Sequence, residues 1–415
     1  MKKKLYSYLM VAITLIALPC VTSCSDDDED GPKGGGGNDT ITFTEAKQLF
    51  ESNGLNVVNA LDGIKNEEGV AAMASLGAVM PMMQNSFMAE SFSALAMQPT
   101  VNDPIAMMHQ SIDMRMVNQL LGTYTFNKDA KKFDIVPDST KPQMVMKFPA
   151  SKTATTNTGI ATLSYTTYQL NGRPIPQTIS AVIKVGSKTV MTSSIAMDYA
   201  NYDTITMHKG FAINWGMGKF ATGFELKDQS TKSTSEFFVS VSDKKLISLA
   251  AAAIGTTLSK GMDDQTILKN TKAIEVTGIL GELSMNGKVL DGPAFVRNMD
   301  SIDNVAAQIE EQYYSDSAAR YAALRPVIEA SAAYINQNLS IKLMSGKSII
   351  ATFQAAAKDN LDEGWLATNA VFADGTKSSI EAFGQSQEMG NIMQRAVEVI
   401  QSLKASFKEN TPDFE

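Results

Sequence analysis

Few residues in this chain have the types and spacing that carry out chemistry. His109 and His208 are its only imidazoles, and Cys20 and Cys24 its only thiols. His109 stands among Met107, Met108 and Ile112, and His208 beside Lys209 near a turn. Neither has the spaced Cys, His or carboxylate neighbours of a zinc site, so both read as packed or solvated side chains and no metal is expected. No Gly-x-Ser-x-Gly elbow and no His-Glu-x-x-His helix occurs. Two stretches approach a phosphate loop. Gly287-Lys288 has Gly281 one residue too far upstream and Val289 where Ser or Thr is needed; Gly346-Lys347-Ser348 has Ile341 in place of the first glycine. Both are read as hairpin turns. Asp26, Asp28, Asp30 and Gly31 mimic a calcium loop, but its twelfth position is Gly37, where a bidentate Glu belongs. The acid pairs Asp263-Asp264 and Glu310-Glu311 are adjacent in sequence and do not converge on one substrate. No catalytic residue is assigned and no cofactor is expected.

The N-terminus is more informative. Lys2, Lys3 and Lys4 precede an apolar run, Leu9 to Leu18, too short to span a bilayer, and small residues follow it up to Cys24. Residues 1–23 therefore read as a signal peptide. Ser25, Asp26, Asp27, Asp28, Glu29 and Asp30 come next, then Gly31-Pro32-Lys33 and the glycines 34–37. Residues 24–40 read as a flexible acidic and glycine-rich tether.

Val21-Thr22-Ser23-Cys24 resembles the lipobox of bacterial lipoproteins, with Val at the third position back in place of the more usual Leu. The acidic run Ser25–Asp30 resembles the export signal of Bacteroidetes lipoproteins displayed on the outer face of the outer membrane. The resemblance is specific over residues 1–30. It implies that Cys24 is acylated, that the lipid holds the chain in the outer membrane, and that the body faces the cell exterior. It brings no catalytic residues and no substrate.

The formal charge is −8, and it grows more negative once the three lysines of the leader are removed. An acidic chain without a basic stripe repels phosphate backbones, so nucleic acid is not an expected partner. With 24 methionines, ten of them between Met73 and Met116, the chain is rich in flexible, polarizable side chains. Met80, Met83, Met108 and Met116 are candidates to line an apolar ligand site; the competing reading is a Met-rich helical core.

The elements that must position these groups are legible in coarse form. The body, residues 41–415, is expected to be helical over 41–122, mainly β over 123–295, helical over 296–338, a β-hairpin region over 339–373, and helical over 374–415. Thr42 and Glu45 have capping-box spacing, and Gly54 is the expected stop of that first helix. Asn102-Asp103-Pro104 opens a second helix, with Ile105, Met108, Ile112 and Met116 on one face and Gly122 at its end. Turn residues stand at Asn127-Lys128-Asp129, Asn171-Gly172, Gly186-Ser187 and Ser242-Asp243, and Ile179, Ala181, Ile183 and Val185 alternate with more polar neighbours. Ile302, Val305, Ile309 and Tyr313 mark one side of a later helix, and Ile392, Met393, Ala396, Val399, Ile400 and Leu403 the stripe of the last. A weak echo repeats around Gly186, Asp243 and Gly346: a strand, a Ser/Gly/Asp turn with a Lys, then a strand of small residues. The expected fold class is α+β, a large antiparallel β-sheet packed against helices from the N- and C-terminal parts of the chain.

These observations point first to a surface-tethered, non-catalytic binding protein, with a surface protein, a glycan or a lipid as the candidate ligand. A carrier or sensor of a hydrophobic ligand is the alternative. A glycan hydrolase working through two carboxylates, with Trp215 or Trp365 stacked on sugar, is the third reading.

Overall fold

The computed structural model describes residues 41–83, 120–170, 172–198, 210–229, 231–255, 271–289, 291–358 and 366–413. The fold is α+β, built on a large, mostly antiparallel sheet. In chain order the elements are α1 (Phe43–Asp62), α2 (Glu68–Val79), β1 (Gly122–Asn127), β2 (Lys132–Pro137), β3 (Gln143–Phe148), β4 (Gly159–Leu170), β5 (Arg173–Val185), β6 (Lys188–Asp198), β7 (Gly210–Met217) and β8 (Phe220–Gln229). Then follow β9 (Lys232–Val241), β10 (Lys244–Gly255), β11 (Thr271–Leu280), β12 (Leu283–Val289), α3 (Gly292–Gln312), α4 (Ser317–Asn338), β13 (Leu339–Ser345), β14 (Ser348–Ala357), β15 (Leu366–Phe372), β16 (Lys377–Ser379), α5 (Ile380–Gly384) and α6 (Gln387–Asn410). From β3 to β16 each strand lies beside its sequence neighbours; at the other end the order is β3-β1-β2, with β1 parallel to β3.

The chain divides into two compact units. The first runs to Val58 and takes in Asp228–Ser235 and Leu246–Ala396; the second comprises Asn59–Lys227, Glu236–Lys245 and Val397–Glu415.

In the second unit the strands are joined by turns whose chemistry fits antiparallel pairing. Two-residue loops connect β5 to β6 and β7 to β8, with Gly186 (φ 59°) and Gly218 (φ 57°) first in each. A left-handed residue there matches the twist of the flanking strands, and only glycine adopts it without strain. The β9–β10 loop uses Ser242 and Asp243, both left-handed (φ 49° and 65°). The core lies on one face of the sheet. Helix α2 lays Val70, Met73, Leu76 and Val79 against Met144, Met146, Ile183, Met191 and Met217, with Tyr124, Phe126, Phe133 and Phe148 closing the cluster. A Cβ at Gly69 would stand 2.7 Å from Met217 Cγ and 2.8 Å from the Val190 carbonyl oxygen, so the absent side chain is what lets α2 come this close. Ser75, fully buried, donates its hydroxyl to the Pro149 carbonyl, as a buried polar group must. From the far end of the chain, Leu403 and Phe407 of α6 pack on the same cluster.

The first unit repeats the plan with other residues. Gly281 (φ 62°) and Gly346 (φ 58°) make the β11–β12 and β13–β14 turns. Helix α1 begins with the expected capping box: Glu45 Oε2 accepts the Thr42 N–H at 2.8 Å, and Thr42 Oγ1 accepts the Glu45 N–H at 3.3 Å. It packs Ala46, Leu49 and Phe50 on Leu283, Ile350, Ala351, Ala370 and Phe372. Helices α3 and α4 are capped by Asp291 and Asp316, which accept the Ala294 and Ala319 N–H groups at 2.9 and 3.0 Å. They meet through Ala306, Ile309, Leu324 and Ile328.

Four details differ from the sequence reading. Gly54 does not stop α1, which continues to Asp62; its missing side chain makes room for Ile392, whose Cδ1 would lie 2.4 Å from a Cβ there. Gly287-Lys288 is no turn but the middle of β12, where Gly287 faces Ile341. Val305 is on the exposed side of α3, and Ala306 takes the buried place. The stripe expected on the last helix is split: Ile392 and Leu403 face inward, while Met393 and Ile400 are exposed.

Candidate functional site

The sheet of the second unit buries one face deeply; the other is mostly half-buried. Cross-strand register decides which side chains share that outer face, because directly opposed residues of an antiparallel pair point the same way. From β3 to β8 one row reads Gln143, Ser164, Ser180, Ser194, Asn214, Gly223. The next reads Val145, Thr162, Val182, Thr192, Gly216, Ala221. A third, beginning on β4, reads Thr166, Thr178, Ala196, Ala212, Glu225. The first two rows carry no charged side chain; Lys147, Lys184 and Glu225 lie at their borders.

This is an unusual composition for an outward face, which is ordinarily dressed in Lys and Glu. The first unit supplies the contrast. Its outward face carries Glu275 and Lys288 in a 2.7 Å ion pair, with Lys342 nearby on β13. The hydrogen bond from Lys288 holds the Glu275 carboxyl below its ordinary pKa, against a smaller effect of burial.

The hydroxyls of the uncharged face are organised. Ser164 and Ser180 share a hydrogen bond at 2.8 Å, and Thr166 and Thr178 one at 2.6 Å. The glycines keep it low. A Cβ at Gly216 would stand 3.0 Å from Thr192 Oγ1; one at Gly223 would stand 2.6 Å from Asn214 Oδ1 and 2.8 Å from the Phe238 ring, which covers that end of the row. The result is a shallow grid with a spacing of about 4.8 Å across strands and about 6.8 Å along them. Hydroxyl and amide groups both donate and accept, so the grid suits a neutral ligand that itself presents both kinds of group. It has no acid, base or nucleophile partner within its two central rows.

Perturbed carboxyls elsewhere have local structural causes. Hydrogen bonds from the Thr42 backbone and hydroxyl lower Glu45, and hydrogen bonds from Thr140 lower Asp138. Burial works against the charge of Asp374, but hydrogen bonds from the Phe43 and Thr376 N–H groups outweigh it and hold that carboxyl below its ordinary value. Burial raises the Tyr124 and Tyr165 phenols. Among the described residues no group of three or more His, Cys, Asp or Glu side chains is placed to hold a metal ion.

Of the residues singled out from sequence, Met80 and Met83 are buried in the α2 cluster beside Met73, Leu76 and Val79. Met108, Met116, His109, His208 and Trp365 lie outside the described residues, as do Cys24 and Ser25, Asp26, Asp27, Asp28, Glu29 and Asp30. Trp215 is half-buried on the core face of β7, packed against the Met-rich cluster and turned away from the hydroxyl rows. Sequence reading missed those rows; their signal is the alternation of Thr and Ser at 162–166, at 178–180 and at 192–194, which acquires meaning only when the strands are aligned. No family model, no curated protein and no solved structure matches the chain.

Proposed function

We propose that this chain is a lipid-tethered, non-catalytic binding protein of the outer membrane, carrying its body toward the cell exterior. We propose further that the uncharged face over β3–β8 holds a neutral, hydroxyl-bearing ligand, a glycan. The observation that carries this reading is the pair of rows through Ser180 and Val182, one of hydroxyl and amide side chains ending at Gly223, the other of Thr alternating with Val before Gly216 and Ala221, with no charged side chain in either. A glycan offers donors and acceptors in repeating array, and a charged face would make it compete with tightly held water and counter-ions. The lipobox-like Val21–Cys24 and the acidic run to Asp30 support the location. The carrier reading would give Met80 and Met83 a ligand to touch; their packing against α2 and the sheet favours a core role instead.

Binding of the full chain to an array of neutral and charged glycans tests the proposal. Retention on neutral glycans, lost by about tenfold or more in Ser180→Arg with an unchanged melting temperature, is the expected result. Equal binding by the variant, or no retention on any neutral glycan, would remove the glycan reading.

A further inference from the structure

Strand β2, in the second unit, is the last strand at its end of the sheet. It pairs with β1 on one side, and among the described residues no strand lies on the other. Every residue of it but Phe133 is exposed. Ile135 and Val136, adjacent and therefore on opposite faces, are 51% and 65% exposed. An open edge invites pairing with another chain, and proteins ordinarily blunt it with charge, proline or brevity. The short edge strand of the first unit, β16, reads Lys-Ser-Ser and keeps to that rule. β2 keeps to it at its ends, with Lys132 and Pro137, and breaks it in the middle with two apolar side chains.

Register decides which backbone groups are open. The Asp138 N–H donates to the Leu121 carbonyl at 3.1 Å, so these two form a hydrogen-bonded pair, one step beyond Pro137 opposite Gly122. Such pairs alternate along an antiparallel ladder. Lys132, Asp134 and Val136 therefore bond β1, and Phe133, Ile135 and Pro137 turn their backbone groups to the open edge. Lys131 is left-handed (φ 47°) and ends the extended run. Ile135 is thus the middle outward position, and the edge is symmetric about it. Were a second β2 laid antiparallel there, the two Ile135 residues would exchange N–H···O bonds. Each Phe133 N–H would reach the Pro137 carbonyl of the other copy, a bond that proline cannot return.

Side chains fit the same register. On the face that carries Phe133 and its ring contact with Phe126, Ile135 would meet Ile135, and Phe133 would meet Pro137. On the other face Lys132 would meet Asp138, and Val136 would meet Asp134. Asp138 is prepared for a cation: its Oδ1 accepts the Thr140 N–H at 3.0 Å and the Thr140 hydroxyl at 2.5 Å, which fixes the carboxylate and leaves Oδ2 to the arriving ammonium. Other charges border the pair. Lys128, Asp129 and Lys131 lie in the β1–β2 turn, Lys147 is on the row of Asp134 across Thr125, and Lys141 lies near Asp138 as a like charge for Lys132. Asp134, which takes the Asn127 amide at 3.2 Å, would have acids of the other copy on its diagonals at about 7–8 Å, a repulsion that removing its charge relieves.

We propose that β2 is a self-association edge, on which a second copy of this chain adds its own β2 antiparallel with a two-fold axis at Ile135. One short strand per copy falls short of the about 1,000 Å² of a stable interface, so the dimer is reversible and weaker than about 1 µM. Pairing would set the two uncharged faces on the same side of a joined sheet; that consequence rests on the glycan reading, and dimerisation does not.

The test is sedimentation equilibrium of the full chain, without glycan, in a density-matched mild detergent over a range of concentration. A monomer–dimer equilibrium is expected. Ile135→Pro weakens it about tenfold or more with little change in melting temperature, since the N–H it removes does not bond β1. Lys132→Glu and Asp138→Lys each weaken association, and the double exchange restores it, which decides the matter even where Ile135→Pro unfolds the chain. Asp134→Thr strengthens association. A chain that remains monomeric to about 100 µM overturns the proposal. So does a dimer indifferent to a folded Ile135→Pro, a dimer weakened by Asp134→Thr, or a double exchange that restores nothing.

Discussion

The N–H of Phe43 donates to Asp374 Oδ2 at 2.7 Å, tying the first turn of α1 to the turn before β16 across a sequence separation of 331 residues. The same carboxylate accepts the Thr376 N–H at 2.9 Å through its other oxygen. One side chain thus satisfies an orphan donor of a helix N-terminus and closes a turn, and the positive end of the helix favours its charge.

This arrangement makes the first unit sensitive to acid. The folded-state carboxyls of Asp374 and Glu45 lie below their ordinary values. Their contribution is therefore complete above the unfolded-state carboxyl pKa and is lost as the pH falls through the folded one. Asp374→Asn keeps one acceptor and removes the charge. It is expected to lower stability at neutral pH by about 1 kcal/mol and to flatten the acid limb. Melting temperature measured from neutral pH down to about pH 3 checks this; parallel curves for parent and variant would contradict it.

Asn53, buried in α1, holds that helix to the β11–β12 turn. Its Oδ1 accepts the Glu282 N–H at 2.8 Å, and its Nδ2 donates to the Leu49 carbonyl at 2.8 Å. Gly281 stands directly over it, with a built Cβ only 2.6 Å from Oδ1. Asn53→Leu leaves the Glu282 N–H without this acceptor and crowds the turn, at a cost of about 2 kcal/mol or more. Urea unfolding measures the loss, and a midpoint equal to that of the parent chain would show the contact to be dispensable.

Two helical glycines respond differently to alanine. At Gly69 the new Cβ meets the Val190 backbone oxygen at 2.8 Å, which cannot move without disturbing β6. Gly69→Ala is expected to destabilise by about 2 kcal/mol despite the better helix propensity. At Gly54 the nearest atom is the end of the Ile392 side chain, which can turn away. There the gain in propensity, up to about 1 kcal/mol, offsets most of the crowding, and Gly54→Ala stays close to the parent chain. Thermal unfolding of the two variants side by side decides the matter; equal losses would mean that Ile392 is as rigid as backbone.

The proposed anchor makes a separate prediction. Cys24→Ala should move the chain out of the membrane fraction, and neutral replacements at Asp26, Asp27, Asp28, Glu29 and Asp30 should turn it inward. Fractionation reads the first outcome. Labelling of intact cells with an impermeant reagent reads the second, and unchanged labelling would sink the export proposal.

The α+β class was legible because strand-rich and helix-rich stretches are separated along the chain and the turn residues are local signals. Gly186-Ser187, Ser242-Asp243 and the Thr42–Glu45 box announce themselves within a few residues. What was misread depends on distant partners. Gly54 looks like a helix stop until Ile392 is placed over it, and Gly287 looks like a turn until Ile341 faces it. The hydroxyl face was invisible for a similar reason. Ser164, Ser180, Ser194 and Asn214 become neighbours only through the register of four strands, and one residue of slip would send each to the other side.

The contribution of α6 to the second unit has a consequence for the order of events in the cell. A ribosome delivers the strands of that unit in pairs that can zip locally. Yet Leu403 and Phe407, which pack on its apolar cluster, and Ser406, which holds the Lys65 carbonyl across a sequence separation of 341 residues, come from a helix made long after those strands. That cluster is incomplete until α6 has been made, so the zipped strands wait with an open apolar face for a distant helix to close it.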